Sequence, residues 1–163
     1  MAVVTVETRL AVEDLIHSYV HCIDDDRLEE WPNFFAAECL YKIVPRENAD
    51  HNLPIAIMYC DSQGMLRDRV VAHRKANLFG AHFYRHLVSS IRIVKETAGE
   101  IFARTNYVVF RTLADAVHYG TTEVYSTGVY HDTIVFVDDQ AKFKEKIVMA
   151  DTSRISSLLV TPL

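Results

Sequence analysis

The chain has 163 residues, of which 50% are hydrophobic and 24% charged, as is typical of one compact domain that covers residues 1–163. The formal net charge of −5 excludes a strongly basic nucleic-acid surface, and no stripe of cations with interleaved aromatic residues is found. The N-terminus meets Glu7 and Arg9 after a few apolar residues, which indicates neither a secretory signal nor a membrane span. We therefore expect a cytoplasmic protein.

The cysteines are three in number and widely spaced, at Cys22, Cys39 and Cys60. This spacing predicts reduced and mostly buried thiols rather than a disulfide framework. The sequence has no C-x2-C pair for zinc or a redox centre, and no C-x-H with C-x2-H pair for a Rieske cluster. We therefore predict that this chain itself binds no iron, zinc or flavin.

The first predicted element is an amphipathic helix over residues 7–24. Its apolar residues recur at the i, i+3, i+4 and i+7 spacing of a helix: Val12, Leu15, Ile16, Tyr19, Val20 and Ile23. His17 and His21 lie four residues apart beside this stripe, but no third ligand or H-E-x-x-H acid accompanies them, so we interpret them as solvated or hydrogen-bonded. The triplet Asp24–Asp26 is interpreted as a capped and solvated turn rather than as catalytic or cation-binding carboxylates.

The next segments mix short helices and short strands. A second helix is predicted from Leu28 to Ala36, with an aromatic apolar side. Two β-prone runs follow at Leu40–Val44 and Leu53–Tyr59, separated by the polar connection Arg46–Asn52. A third helix, capped by Asp61-Ser62, is predicted from about Ser62 to Asn77 because this stretch is rich in Arg, Lys, Ala, Leu and Met.

The rest of the chain is predicted to be strand. The β-prone runs are Tyr84–Val94, Ile101–Leu113, His118–His131 and Phe143–Asp151, linked by turn-prone Thr97-Ala98-Gly99, Ala114-Asp115 and Asp138-Asp139. Helices followed by consecutive long strands predict an α+β fold with an antiparallel sheet.

The motif HFYRH, His82 to His86, places two imidazoles four residues apart. On a helix such a pair can bind one metal ion, but on a strand the two side chains are separated by about 13 Å. His82 is expected to precede, and His86 to open, a strand in which Leu87, Ile91 and Ile93 alternate. We therefore interpret the motif as polar contacts at the end of the sheet and not as a metal site.

Several segments are similar to one protein family. Residues 24–48 contain W-x-x-F-F and a strand that ends near Arg-Glu-Asn, and residues 60–77 contain D-S-x-x-x-L-x-x-R-V. Residues 84–93 read YRHLVSSIRI, and residues 128–132 read GVYHD. Residues 142–163 form a basic strand with an apolar end. Together they resemble the small (β) subunits of aromatic-ring-hydroxylating dioxygenases over essentially the whole chain. Ser90 stands where that family usually has asparagine. Residues 49–70 are most similar to members that act on carboxylated rings of the terephthalate, salicylate or anthranilate type.

The resemblance implies a cystatin-like cone, as in nuclear transport factor 2, with about three N-terminal helices on a curved, mostly antiparallel sheet. It implies a non-catalytic subunit without a cofactor, which trimerises and assembles with large (α) subunits into an α3β3 hetero-hexamer. The α subunit is expected to carry a Rieske [2Fe–2S] cluster and a mononuclear Fe(II), to receive electrons from a reductase with or without a ferredoxin, and to hydroxylate the aromatic substrate.

Two other classes stay open at this point: a free-standing isomerase or dehydratase of the same fold with a pocket in the cone, and a non-enzymatic interaction scaffold. Tyr19 falls about where ketosteroid isomerase keeps its oxyanion-binding tyrosine. The matching base position holds Val44, followed by Pro45, so no side chain there can act as the base in proton abstraction. Tyr19, which lies on the apolar stripe, is also typical of a core residue.

The candidates for contact with the α subunit are Trp31, Arg67, Arg69, Arg85 and His86, because aromatic residues and arginine are enriched at interfaces. The alternative is that Arg69 pairs with an Asp or Glu inside the fold and Trp31 packs in the core. The strands from Ile101 to Asp151 carry apolar residues on both alternating faces. Because the helices cover one face, we expect neighbouring subunits to cover the other in an obligate oligomer.

Overall fold

A computed structural model describes residues 4–51, 53–76, 80–115, 117, 119–151, 159 and 161–163. The α-helices are α1 (Val6–Asp24), α2 (Arg46–Asp50) and α3 (Gln63–Lys75), and a 3-10 helix covers Trp31–Phe34. The strands are β1 (Phe35–Pro45), β2 (Met58–Cys60), β3 (His82–Thr97), β4 (Glu100–Leu113), β5 (Thr122–Val137) and β6 (Gln140–Ala150).

The strands form one six-stranded sheet in the order β2-β1-β6-β5-β4-β3. β1 and β6 pair in parallel, and the other neighbouring strands pair antiparallel. The predicted α+β fold with a curved, mostly antiparallel sheet is therefore confirmed. We call the side of the sheet that packs against α1 and α3 the inner face, and the opposite side the outer face.

Both long helices form where the sequence predicts them. The Thr5 side chain accepts a hydrogen bond from the Thr8 amide at 3.1 Å and so caps α1, whose apolar stripe is buried against the sheet. The Ser62 side chain accepts one from the Met65 amide at 3.3 Å and caps α3. The predicted end of this helix at Asn77 lies outside the described residues.

The predicted helix over 28–36 is wrong. A single 3-10 turn forms at Trp31–Phe34, and β1 already begins at Phe35, which pairs with Phe143 of β6. The Trp31 and Phe35 rings both pack in the core, with centroids 5.7 Å apart. Tertiary packing of these aromatic side chains therefore overrides their local helical pattern.

The connection between the first two strands also differs from the prediction. Residues Arg46–Asp50, expected to be irregular, form the short helix α2. The strand expected over 53–59 is limited to Met58–Cys60, which pairs with Tyr41–Ile43 of β1. The three cysteines are free and buried, as predicted.

The long strands run past several of their predicted ends. β3 begins at His82, so both histidines of HFYRH are in the strand, and β5 extends to Val137. The predicted start of β5 at His118 lies outside the described residues. Asp138 and Asp139 have φ angles of 49° and 59° and form the tight β5–β6 turn, as expected of a hairpin with two left-handed residues. No helix of the described chain is long and apolar enough to cross a membrane.

Candidate functional site: the cone interior and the outer sheet face

A fully buried ion pair lies on the inner face. Lys146 of β6 and Asp132 of β5 are register partners, and the lysine Nζ lies 3.1 and 3.3 Å from the two carboxylate oxygens. The same Nζ lies 3.8 Å from the ring centroid of Tyr130 and 4.5 Å from that of Tyr19. Burial lowers the pKa of Lys146 and raises that of Asp132, and each partner opposes the shift of the other. The pair is thus satisfied within the chain.

Two buried tyrosines bind the end of the described chain. The hydroxyl of Tyr19 on α1 donates to the main-chain oxygen of Leu163 at 2.6 Å. The Tyr41 hydroxyl on β1 lies 3.2 Å from the same oxygen and accepts from the Leu163 amide at 3.0 Å. Burial raises the pKa of both phenols, so they stay neutral hydrogen-bond donors. Tyr19 is therefore a core residue whose hydroxyl is bound to Leu163, and its interpretation as a core residue is confirmed.

Asp24 and His86 form a second buried pair. The Nδ1 atom of His86 lies 2.5 Å from Asp24 Oδ1, and the His86 amide donates to Oδ2 at 2.9 Å. Asp24 is therefore not part of a merely solvated turn, and the side chain of His86, a candidate for contact with the α subunit, is fully buried within the chain. The two residues are 62 positions apart, so no local pattern in the sequence links them.

The histidines do not converge on one ion. His82 Nδ1 bonds the carbonyl of Gly80 at 2.8 Å, whereas His86 binds Asp24, which agrees with polar contacts at the end of the sheet. His17 and His21 are exposed on α1. Among the described residues, no group of three or more His, Cys, Asp or Glu side chains is placed to hold a metal. That the chain binds no metal or flavin stays a prediction.

The predicted interface residues divide into two sets. Trp31 is fully buried in the core, where its ring centroid lies 5.1 Å from that of Tyr41, so its prediction as a surface residue is wrong. Arg69 is half-buried and donates to the Leu159 carbonyl at 3.2 Å, so its partner inside the fold is a main-chain oxygen rather than a carboxylate. Arg67 on α3 and Arg85 on β3 are exposed and remain candidates.

The outer face carries a cluster of apolar side chains, which we call the outer patch: Phe83, Leu87, Val108, Phe110 and Val124. They are neighbours across three strands, because Leu87 pairs with Val108 and Phe110 pairs with Val124. Phe83, Leu87 and Val124 are 62%, 55% and 59% exposed. Arg85, which pairs with Phe110, lies within this patch. Sequence alternation predicted an apolar second face but not which side chains would be exposed.

A groove of about 450 Å³ extends the outer face beyond the patch. Its floor is formed by outer-face residues of β1 and β6, including Val44 and Met149, and its wall by residues 53–56. Leu53 and Ile55 in that wall are largely exposed. The apolar surface of the outer face is therefore not confined to one strand pair.

The chain is similar to several known proteins. Residues 4–146 match the family model described as a SnoaL-like domain. The anthranilate 1,2-dioxygenase small subunit of Burkholderia cepacia is 46% identical over 149 residues, which cover 91% of this chain and 90% of that protein. The terephthalate 1,2-dioxygenase terminal oxygenase component subunit beta 2 of a Comamonas species is 35% identical over 146 residues, which cover 90% and 92%.

A solved structure matches the fold as well as the sequence. It is the crystal structure of a beta subunit assigned to an aromatic-ring-hydroxylating dioxygenase from Novosphingobium aromaticivorans. The TM-score is 0.84 at 44% sequence identity, and the match covers 94% of this chain and 95% of that chain.

Proposed function

Because this chain belongs to the family of small subunits of aromatic-ring-hydroxylating dioxygenases, we propose that it is a non-catalytic scaffold for the iron-containing large subunits of such an oxygenase. The observation that carries this proposal is the exposed outer patch. Apolar side chains on both faces of a sheet call for a cover on each, and the helices supply only one.

The outer patch has the composition of an interface. Its aromatic and aliphatic side chains surround an arginine, Arg85, and these residue types are enriched where proteins associate. Obligate subunit contacts bury on the order of 2,000 Å² or more, so we expect the contact to extend beyond the outer patch itself. We propose that neighbouring subunits cover this face, in a hetero-hexamer of three large and three small subunits with the small subunits in contact as a trimer.

We also propose how the work of the oxygenase is divided between the two kinds of subunit. In our proposal the large subunit carries a Rieske [2Fe–2S] cluster and a mononuclear Fe(II) and receives electrons through a reductase, with or without a ferredoxin. Anthranilate and terephthalate, after which two relatives are named, are aromatic carboxylates, and this supports a carboxylated ring as the substrate of the complex. In our proposal that ring is chosen mainly by the pocket of the large subunit.

The geometry of the interior supports a non-catalytic role over an isomerase role. The Tyr19 hydroxyl, at the position expected to bind an oxyanion, already donates to Leu163. Val44, at the position expected for the base, is an apolar residue in the floor of the outer groove rather than in the cone. The two positions therefore do not face a common substrate site.

The scaffold proposal is tested by the mass of the complex after co-expression with its large subunit. Leu87→Lys places a charge inside the outer patch, and Val71→Lys places the same charge on α3, where Val71 is 52% exposed. Light scattering should give the hexamer mass for the parent and for Val71→Lys, and a smaller species for Leu87→Lys. A full hexamer from both variants would contradict the assignment of the interface, and a parent complex of one large and one small subunit would contradict the stoichiometry.

The catalytic assignment is tested by turnover with a reduced nicotinamide, a reductase and an aromatic acid. The small chain alone should give no hydroxylated product, and addition of the large subunit should give product. Product from the small chain alone would overturn the non-catalytic role. Metal analysis of the isolated, chelator-washed chain should give far less than one transition-metal ion per chain.

A further inference from the structure

The last described residues of the chain run along α3 and end inside the cone. Arg69 Nη2 donates to the Leu159 carbonyl at 3.2 Å, and His73 Nε2 lies 2.9 Å from the Thr161 hydroxyl. Leu163 has no exposed surface. We call the described residues Leu159 and Thr161–Leu163 the tail.

The innermost part of the tail is held mainly through its main chain. The oxygen of Leu163 is within hydrogen-bonding distance of the Tyr19 and Tyr41 hydroxyls, and its amide donates to Tyr41. The Leu163 side chain belongs to the same buried apolar cluster as Trp31 and Phe35. A main-chain donor, a main-chain acceptor and one apolar side chain are the features by which a binding site recognises a short peptide.

The groups that contact the tail come from separate elements of the fold. Tyr19 lies on α1, Tyr41 on β1, and Arg69 and His73 on α3, so the site is assembled by tertiary packing and not by the tail itself. Beside Thr161 lies a groove of about 280 Å³, which reaches Asp24 and Tyr84 at the mouth of the cone. The tail thus enters the cone from a groove that is partly open to solvent.

We propose that the cone interior is a peptide-binding site and that the tail is the ligand that fills it. The ligand class is a short peptide with an apolar residue in the position of Leu163 and a hydroxyl residue two positions earlier, bound by Tyr19, Tyr41 and His73. Because the tail uses the phenol donors and the apolar volume at once, the interior is closed to small-molecule substrates while the tail is bound. The tail detaches locally, without unfolding of the sheet.

The first test uses a variant of this chain that releases its own tail. Leu163→Asp introduces a charge into the apolar site and should lower Tm. The free peptide acetyl-Thr-Pro-Leu should then raise Tm with saturation, because a ligand that binds only the folded state stabilises it. Acetyl-Thr-Pro-Asp, the matched control, should not raise Tm. Equal effects of the two peptides, or no effect of either on a folded variant, would overturn the proposal.

A second test uses amide exchange, so that the proposal stays testable if Leu163→Asp fails to fold. Tyr41→Phe removes the acceptor of the Leu163 amide and leaves the tail in place. In the parent we expect the Leu163 amide to exchange at least about tenfold faster than the amide of Val109 in the core of the sheet, and Tyr41→Phe should make the Leu163 exchange faster still. If Leu163 exchanges at the rate of Val109 in both proteins, the tail opens only with global unfolding and is not a detachable ligand.

Discussion

Asp132 and Lys146 on the inner face of the sheet have no exposed side-chain surface, whereas Phe83, Leu87 and Val124 on the outer face leave more than half of theirs in solvent. In an antiparallel sheet with one solvated side, the buried face is usually apolar and the solvated face polar. Here charged groups are buried and large apolar groups are exposed.

The difference indicates that the inner face stabilises the fold and that the outer face is suited to association. The polar groups of the inner face bind one another: Lys146 pairs with Asp132, and His86 pairs with Asp24. Such internal pairing stabilises one arrangement of the interior. It leaves few polar groups there to bind a ligand, apart from those that contact the tail. The exposed apolar groups of the outer face have no such partner within the described chain, which supports a face built for association.

The largest expected effect comes from breaking the inner ion pair. Lys146→Met leaves the Asp132 carboxylate buried without a counter-ion, which should lower the free energy of unfolding by about 3–5 kcal/mol in chemical denaturation. The control is the double variant Lys146→Met/Asp132→Leu, which replaces both charges by apolar groups and should recover most of the loss. A single variant as stable as the parent would mean that the interior is more solvated than the structure indicates.

A smaller loss is expected at a close contact between β5 and β6. A Cβ at Gly128 of β5 would overlap the Met149 carbonyl oxygen and lie 3.0 Å from Tyr107 Cε1. Gly128→Ala should therefore destabilise the fold by about 1–3 kcal/mol. Gly64→Ala is the matched control, since the nearest atom lies 3.8 Å away and alanine favours helix α3; it should be neutral or stabilising by up to about 1 kcal/mol. Thermal or denaturant unfolding distinguishes the two.

A gain of stability is expected at the bulge in β3. Ser90 is exposed, has φ of 55° and lies at the register shift between Ser89 and Arg92. Asparagine adopts left-handed φ more readily than serine, so Ser90→Asn should stabilise the chain by about 0.5–1 kcal/mol. Ser89→Asn, at the neighbouring exposed position, should give no such gain. Equal effects of the two variants in denaturant unfolding would show that backbone conformation is not the cause.

The smallest effect at neutral pH is expected at the mouth of the cone. Burial, assisted by the neighbouring Arg74, lowers the pKa of His73 below its ordinary value near 6.5. The unfolded chain therefore binds more protons, and this contribution to stability is present above about pH 6.5 and is lost as the pH falls toward the folded-state pKa. His73→Gln should unfold with a flatter pH profile below about pH 6.5, measured by denaturant titration. An unchanged profile would exclude His73 as the source of the stability loss at low pH.

Local patterns decided the helices and most strands. The 3.6-residue stripe of α1, the cap and composition of α3, and the Asp138-Asp139 turn are encoded by neighbours in the sequence, so they were predictable. The absence of the helix expected over 28–36 was not predictable from local sequence. Phe35 is held in β1 by its pairing with Phe143 in β6, more than 100 residues later. Arg85 was recognised as a surface candidate from its residue type, but its place within the outer patch depends on the pairing of three strands.

The sequence by itself determined the α+β class, the buried free cysteines and the family, because composition, periodicity and motif spacing are properties of the chain. Only the tertiary structure decided that Asp24 pairs with His86 and that Lys146 pairs with Asp132. It also decided that the Tyr19 hydroxyl donates a hydrogen bond to the oxygen of Leu163, 144 positions away. Strand register sets which side chains share a face, and a shift by one residue would exchange the inner and outer sets. Register between distant strands is fixed by the packing of the whole core, which no local stretch of sequence specifies.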